Sequence, residues 1–172
     1  MDDADKIIIE TDEDEPEKKT ASEKIVRVLS FKLGDERYCV DITRAREVFK
    51  PDFITNLPNA PDFVTGVANF HGDIISLIDI GYFLGLVRKE GLSGTKVIVI
   101  DSATDPVGIT VDNVDGAVDI EEASIQPPLA TIKGRLAEFT KGEAQVDSGI
   151  LVLLDIDKIL NCEEFGKLNP HS

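Results

Sequence analysis

Two stretches decide how this chain folds: Ile74–Leu84, IISLIDIGYFL, and Ile150–Leu160, ILVLLDIDKIL. They share Ile74/Ile150, Leu77/Leu153, Asp79/Asp155, Ile80/Ile156 and Leu84/Leu160. Each begins as a near-continuous apolar run of strand length, a pattern that implies burial on both faces. Each then meets an Asp able to cap a helix and continues as a short amphipathic helical segment, which Gly85 stops in the first copy. The same grammar written twice suggests two related half-barrels.

The flanking sequence supports that reading. Val26, Val28, Ser30 and Lys32 alternate with Leu29, Phe31 and Leu33, Gly34-Asp35 supplies turn chemistry, and Tyr38, Val40 and Ile42 resume the period of two. Val97–Ile100, a turn over 101–105 and Val107–Val111 repeat that hairpin plan. Between Pro51 and Pro61 the chain reads as a loop. Pro61 to Gly66 is expected to form one helical turn, opened by Pro and closed by Gly, ahead of a strand at Val67–Phe70. His71-Gly72-Asp73 turns that strand into Ile74. Pro127-Pro128 predicts an irregular connection over 121–136. The fold class expected is all-β with short helices.

The first 24 residues hold ten acids against four lysines, so residues 1–24 are expected to be an acidic, disordered tail. The Ile7-Ile8-Ile9 run inside it is a weak edge-strand candidate. Residues 25–168 then form one domain, with approximate halves at 25–88 and 95–150, a strand and helix over 150–168 packing back, and a C-terminal tail at 169–172. Aromatics make up 6% of the chain and Trp is absent, so its core is expected to be built mainly from Ile, Val and Leu.

A formal charge of −15 argues against nucleic acid, which is held by clustered Lys and Arg. Cys39 and Cys162, far apart and outside any C-x-x-C spacing, read as structural thiols of a reduced compartment. Without a basic-then-apolar leader or a bilayer-length apolar run, a cytoplasmic location with no direct membrane insertion is expected.

Chemistry is hard to assemble from these residues. Only His71 and His171 are available as imidazole bases, one in a turn and one beside the C-terminus. Gly91–Lys96 lacks the spacing of a phosphate loop. Asp112–Gly116 and Asp155–Asp157 do not complete a calcium loop. Neither a catalytic set, a cofactor nor a metal site is expected.

In order along the chain, LSFKLGDERYCVDITRAREVF (29–49), LPNAPDFVTGVANFHGDIISLIDI (57–80), VGITVDNVDGAVDI (107–120) and ILVLLDIDKIL (150–160) resemble the CheW-like family of chemotaxis coupling proteins. The resemblance spans Val26 to about Leu160. It implies two SH3-like β-barrel subdomains with a groove between them. It also implies a non-catalytic adaptor whose partners are the cytoplasmic tip of chemoreceptors and the regulatory domain of a CheA-type histidine kinase.

The resemblance further matches Glu47 to a Glu of the family pattern, and implies that a later turn, written Asn-Leu-Arg-Gly in that pattern, contributes to receptor coupling through its Arg. Here that turn is Asn69-Phe70-His71-Gly72, so a permanent planar cation is replaced by an imidazole. Glu47 and His71 are expected to approach each other at a receptor-binding groove, with Ala45, Val48 and Gly108 supplying small or apolar surface. Kinase-contact residues are not assigned. Ser76 in place of a family Pro, and Gly81 where a basic residue is common, leave open a divergent scaffold of another chemosensory pathway. A small-ligand-binding β-barrel and an acidic-site hydrolase are the readings from other classes. The CheW-like half of a CheV protein is disfavoured because no βαβ repeats follow.

Overall fold

The computed structural model describes residues 24–86, 95–103, 105–128 and 134–166. The readings placed on residues 1–23, on Gly91–Gly94 and on His171 and its neighbours lie outside the described residues. Ten strands occur among the described residues: β1 Ile25–Leu33, β2 Glu36–Asp41, β3 Ala45–Phe49, β4 Val64–Phe70, β5 Asp73–Asp79, β6 Lys96–Asp101, β7 Pro106–Val111, β8 Asn113–Glu121, β9 Thr140–Val146 and β10 Gly149–Leu154. Short helices follow the second hairpin of each half: α1 Ile80–Phe83 after β5, and α3 Ile156–Leu160 after β10. Two further helices, α2 Gly134–Glu138 and α4 Glu163–Gly166, flank β9 and the C-terminal end.

The strands form two five-stranded sheets with the same plan, β9-β10-β2-β1-β8 and β4-β5-β7-β6-β3. In each, two antiparallel hairpins meet through one parallel pairing, Val152–Tyr38 in the first and Leu77–Gly108 in the second. A fifth strand completes each sheet: β3, which follows the β1–β2 hairpin, pairs with β6, and β8, which follows the β6–β7 hairpin, pairs with β1, so each sheet draws on both sequence halves. The two sequence halves are therefore not two separate barrels. They share both sheets, which ties them into one unit.

The duplication extends to single residues. Asp79 and Asp155 cap α1 and α3, accepting from Gly81 N–H and Lys158 N–H. The backbone N–H of Asp79 donates to Phe63 O, and that of Asp155 to Phe139 O, both at 2.8 Å. Both β4 and β9 carry an irregularity just after their first residue, where Gly66 and Gly142 sit. A Cβ on Gly66 would lie 2.4 Å from Thr55 O, and one on Gly142 2.6 Å from Gln126 O, so only hydrogen fits. The bridges Thr55–Val67 and Gln126–Glu143 run beside these glycines.

Strand alternation sorts the apolar side chains into three clusters. Val28 and Cys39 join Ile120, Ala144, Leu151 and Leu153 inside the first barrel, and Ala68, Phe70, Ile75, Leu77, Val97 and Val99 fill the second. Leu29 and Phe31, on the opposite face of β1, join Ile78, Ile98, Ile100, Ile109, Leu154 and the rings of Phe63, Phe83 and Phe139 in the layer between the barrels. Burial on both faces explains why the strands read as continuous apolar runs. Cys39 and Cys162 are free thiols; burial pushes Cys39 up to about 12.

One local expectation is corrected. Pro61 does not open a helical turn; Val64 N–H donates to Pro61 O at 2.9 Å, closing a β-turn, and β4 starts at Val64 rather than Val67. The two residues between the bonded ends, Asp62 and Phe63, suffice to reverse the chain, and the bridge to Thr55 then holds residues 64–67 extended.

Candidate functional site: the seam of the second barrel

The second sheet ends in β3 on one side and β4 on the other, and these edges meet where the barrel closes. Phe49 of β3 packs on Phe70 of β4 with ring centroids 5.4 Å apart. Above them, Glu47 and His71 are joined: His71 Nε2 lies 2.9 Å from one Glu47 carboxylate oxygen and 3.1 Å from the other. Their side chains are 43% and 67% exposed, respectively, so the pair sits in water on the rim. An exposed pair of this kind contributes roughly 0–1 kcal/mol to stability. Its position follows from turn chemistry. His71 and Gly72 occupy positive φ values of 52° and 90° between the paired residues Phe70 and Asp73, the two-residue hairpin turn that matches strand twist. Gly72 N–H donates to Asn69 Oδ1 at 3.2 Å, fixing the turn and aiming the imidazole at β3.

Ala45 and Val48 lie on the other face of β3, level with Ile100 and Ile98 of the inter-barrel layer. Ala45 is half-buried there, whereas Val48 is 37% exposed. The strand is entered through a 3-10 turn over Ile42–Arg44, capped by Asp41, which accepts from Thr43 N–H and Oγ1–H. Those hydrogen bonds, the hydroxyl's first, hold the Asp41 carboxyl below the usual carboxylate range. Arg44 reaches Asp157 on α3 at 2.9 Å and Asp101 O at 3.2 Å, tying the start of β3 to α3 and β6. Arg46 meets Asp101 at 3.2 Å.

Gly108 does not belong to this surface. It is buried in β7, and a Cβ there would meet Leu77 Cδ2 and Val97 Cγ1, each at 2.6 Å. Its contribution is to let those side chains close the barrel interior. Of the five residues expected at the groove, the structure gathers Ala45, Glu47, Val48 and His71 around one short edge strand and places Gly108 behind them.

This architecture has known relatives. The CheW-like domain family matches residues 27–164. The chain belongs to the CheW-like family. Chemotaxis protein CheW of Klebsiella aerogenes is 33% identical over 141 residues, covering 80% of this chain and 83% of the relative. Chemotaxis protein CheW of Thermotoga maritima is 30% identical over 138 residues, covering 80% and 89%. Among solved structures, the scaffolding protein TtCheW of Thermoanaerobacter tengcongensis superposes with a TM-score of 0.70 at 27% identity, covering 82% of this chain and 96% of that one. The two SH3-like barrels are thus the CheW-like fold, and scaffolding in chemotaxis is the family's function.

This CheW-like chain also carries a clamp that sequence reading missed. Arg135 on α2 makes a two-pronged pair with Glu164 on α4 at 2.5 and 2.9 Å, donates from Nε to Phe83 O at 3.1 Å, and lies 5.5–5.9 Å from the ring centroids of Tyr82, Phe83 and Phe139. Hydrogen bonding to Glu164 raises the Arg135 pKa further. The partner is 29 residues away, beyond the reach of any local pattern. Among the described residues no group of three or more His, Cys, Asp or Glu could hold a metal ion, and no helix is long and apolar enough to cross a membrane.

Proposed function

We propose that this protein is a non-catalytic cytoplasmic adaptor that couples chemoreceptors to a CheA-type histidine kinase. The observation that carries the reading is the exposed Glu47–His71 pair on the seam of the second barrel, in a chain of the CheW-like family. The helical tip of a receptor is the ligand proposed for the surface of Ala45, Glu47, Val48 and His71. Val48 and Ala45 offer apolar contact to a helix face, and the pair offers a carboxylate and an imidazole to its polar flank. His71 stands where the family pattern carries Arg, so a shorter imidazole takes the place of a planar five-donor guanidinium there.

A small-ligand barrel fits the interior less well. Six buried apolar residues fill the second barrel, and its wall admits no Cβ at Gly108. The experiment is reconstitution: purified kinase, receptor-bearing membranes and this chain, with kinase autophosphorylation read out. The reading requires phosphorylation stimulated by receptors only when the chain is present, and less so with Glu47→Ala. Equal stimulation without the chain would end it.

A further inference from the structure

The Glu47–His71 pair is held more firmly than a chance meeting of two rim side chains requires. Among the described residues, Asn59 and His71 are the ones other than glycine at positive φ, and His71 holds 52°. That conformation costs a residue with a Cβ about 1–2 kcal/mol, a cost that Gly escapes and Asn or Asp offsets with local hydrogen bonds. The twin turn, Asp147-Ser148 between Val146 and Gly149, reverses the chain without it, and Ser148 there meets the guanidinium of Arg37. The second barrel instead sets an imidazole in the left-handed position and fixes it on two sides. Its ring centroid lies 4.4 Å from that of Phe70, and Nε2 lies within hydrogen-bond reach of both Glu47 oxygens. Backbone strain kept at an exposed turn points to a use for the side chain.

Glu47 is the charged group that meets this imidazole. Of the other charged residues on the elements packed against the hairpin, Arg46 of β3 is turned to Asp101 and Asp79 caps α1 at the far end of β5. Lys50, Asp52, Asp73 and Asp105 are exposed. An imidazole gains or loses its charge between about pH 5 and 8, a range in which ordinary carboxylates, Lys and Arg keep theirs. The charge of this rim therefore changes at His71.

Protonation decides what a docking helix has to cover. As an imidazolium, His71 donates from Nε2 to Glu47 in a charge-assisted bond, and the rim is neutral as a pair. As a neutral imidazole it leaves the Glu47 carboxylate uncompensated, next to the apolar contact offered by Val48. Taking a lone charge out of water costs more than covering an ion pair that already carries its partner. A helix laid on Ala45 and Val48 covers this rim, so the protonated form docks it more tightly. We propose that the Glu47–His71 pair is a proton-operated gate on receptor coupling, tightening it as the solution acidifies and loosening it as the solution turns alkaline. The gate rests on the receptor reading of this surface and adds its regulation.

The test titrates a fluorescently labelled fragment of a chemoreceptor's cytoplasmic tip with the full chain, at about pH 5.5, 6.5 and 7.5 and constant ionic strength, and reads anisotropy. The parent is expected to lose about threefold or more in affinity over that range. His71→Arg, which keeps its cation, should hold one affinity throughout. His71→Asn, suited to a left-handed turn, should also hold one affinity, at the parent's weaker value. Calorimetry of the parent at about pH 6.5, in buffers of different ionisation heat, should show proton uptake on binding, because proton and fragment favour each other by the same factor. A flat parent curve, a parent that tightens toward alkaline pH, or the parent's slope preserved in His71→Arg or His71→Asn would each overturn the gate while leaving receptor binding intact. No binding of the fragment by the folded parent at any of these pH values would instead remove the receptor reading, and the gate with it.

Discussion

Replacing Gly66 by Ala tests the duplicated architecture at its tightest point. The new methyl would sit 2.4 Å from Thr55 O and 2.8 Å from Ile54 Cγ2, and Gly66 holds φ at +154°, a backbone conformation that residues with a Cβ rarely adopt. The oxygen it strikes belongs to the bridge: Val67 N–H donates to Thr55 O at 2.8 Å, and Thr55 N–H donates to Val67 O at 2.9 Å. Relief requires the 54–55 segment to move away from β4, which strains or breaks both bonds. Each such bond contributes about 1 kcal/mol net, and inserting a methylene-sized group into a packed site costs about 1–3 kcal/mol. With both bonds lost the combined loss is roughly 3–5 kcal/mol. In urea denaturation, with a slope of about 2 kcal/mol per M, the midpoint should fall by roughly 1.5–2.5 M. Gly142→Ala should behave alike, because its Cβ would meet Gln126 O at 2.6 Å. Gly34→Ala, with nothing within 4 Å of the added methyl, carries only the cost of its left-handed φ of +63°, about 1–2 kcal/mol, and should shift the midpoint less. A Gly66→Ala midpoint within about 0.25 M of the parent, equivalent to 0.5 kcal/mol at that slope, would refute the close-approach argument.

Three other outcomes follow from side-chain geometry. Arg135→Ala should destabilise by about 1–3 kcal/mol in the same urea assay, since it removes a two-pronged carboxylate pair and stacking against three rings; Arg135→Lys should recover little of it, because an ammonium cannot span both Glu164 oxygens. Glu47→Ala and His71→Ala should each change stability by less than about 1 kcal/mol, yet weaken binding to a receptor-tip fragment in anisotropy titrations; full binding by both would remove them from the proposed surface. Cys39 should resist iodoacetamide in the native protein and react on unfolding, read by mass spectrometry. Its folded pKa is raised to about 12, so it adds stability that is fully present below the unfolded thiol value of about 8.5 and is lost as pH rises from there through 12. A melting temperature that climbs over that range in the parent relative to Cys39→Ala would contradict the sign.

What could be read from the sequence was the part written in apolar periodicity. Ile74–Leu84 and Ile150–Leu160 are strand, cap and helix in the structure, and the alternation of Val28 and Ser30 against Leu29 and Phe31 does separate two cores. β9, TKGEAQV, was invisible because its polar residues are held by tertiary contacts: Glu143 is 7% exposed and is bridged to Gln126. β8 was hidden for a related reason, its Asp and Gly residues imitating a calcium loop when Asp115 and Asp119 instead pair with Arg37 and Arg27. The pairing of β3 with β6 and of β8 with β1 has no local signal at all, since it depends on register between distant strands. Glu47 and His71 were brought to attention by family resemblance, and their contact is a product of the β4–β5 turn and of barrel closure. Gly108 could have been placed correctly from its own run, because a Gly between Val107 and Ile109 in a doubly buried strand signals close approach of neighbouring side chains.

Coupling to a kinase is the central claim, and calorimetric titration of the full chain with the isolated regulatory domain of its CheA-type kinase tests it most directly. The account predicts saturable one-to-one binding. It also predicts that Gly66→Ala weakens this binding only as far as it unfolds the second barrel. No heat and no saturation at protein concentrations of about 100 μM, with both proteins shown to be folded, would contradict it.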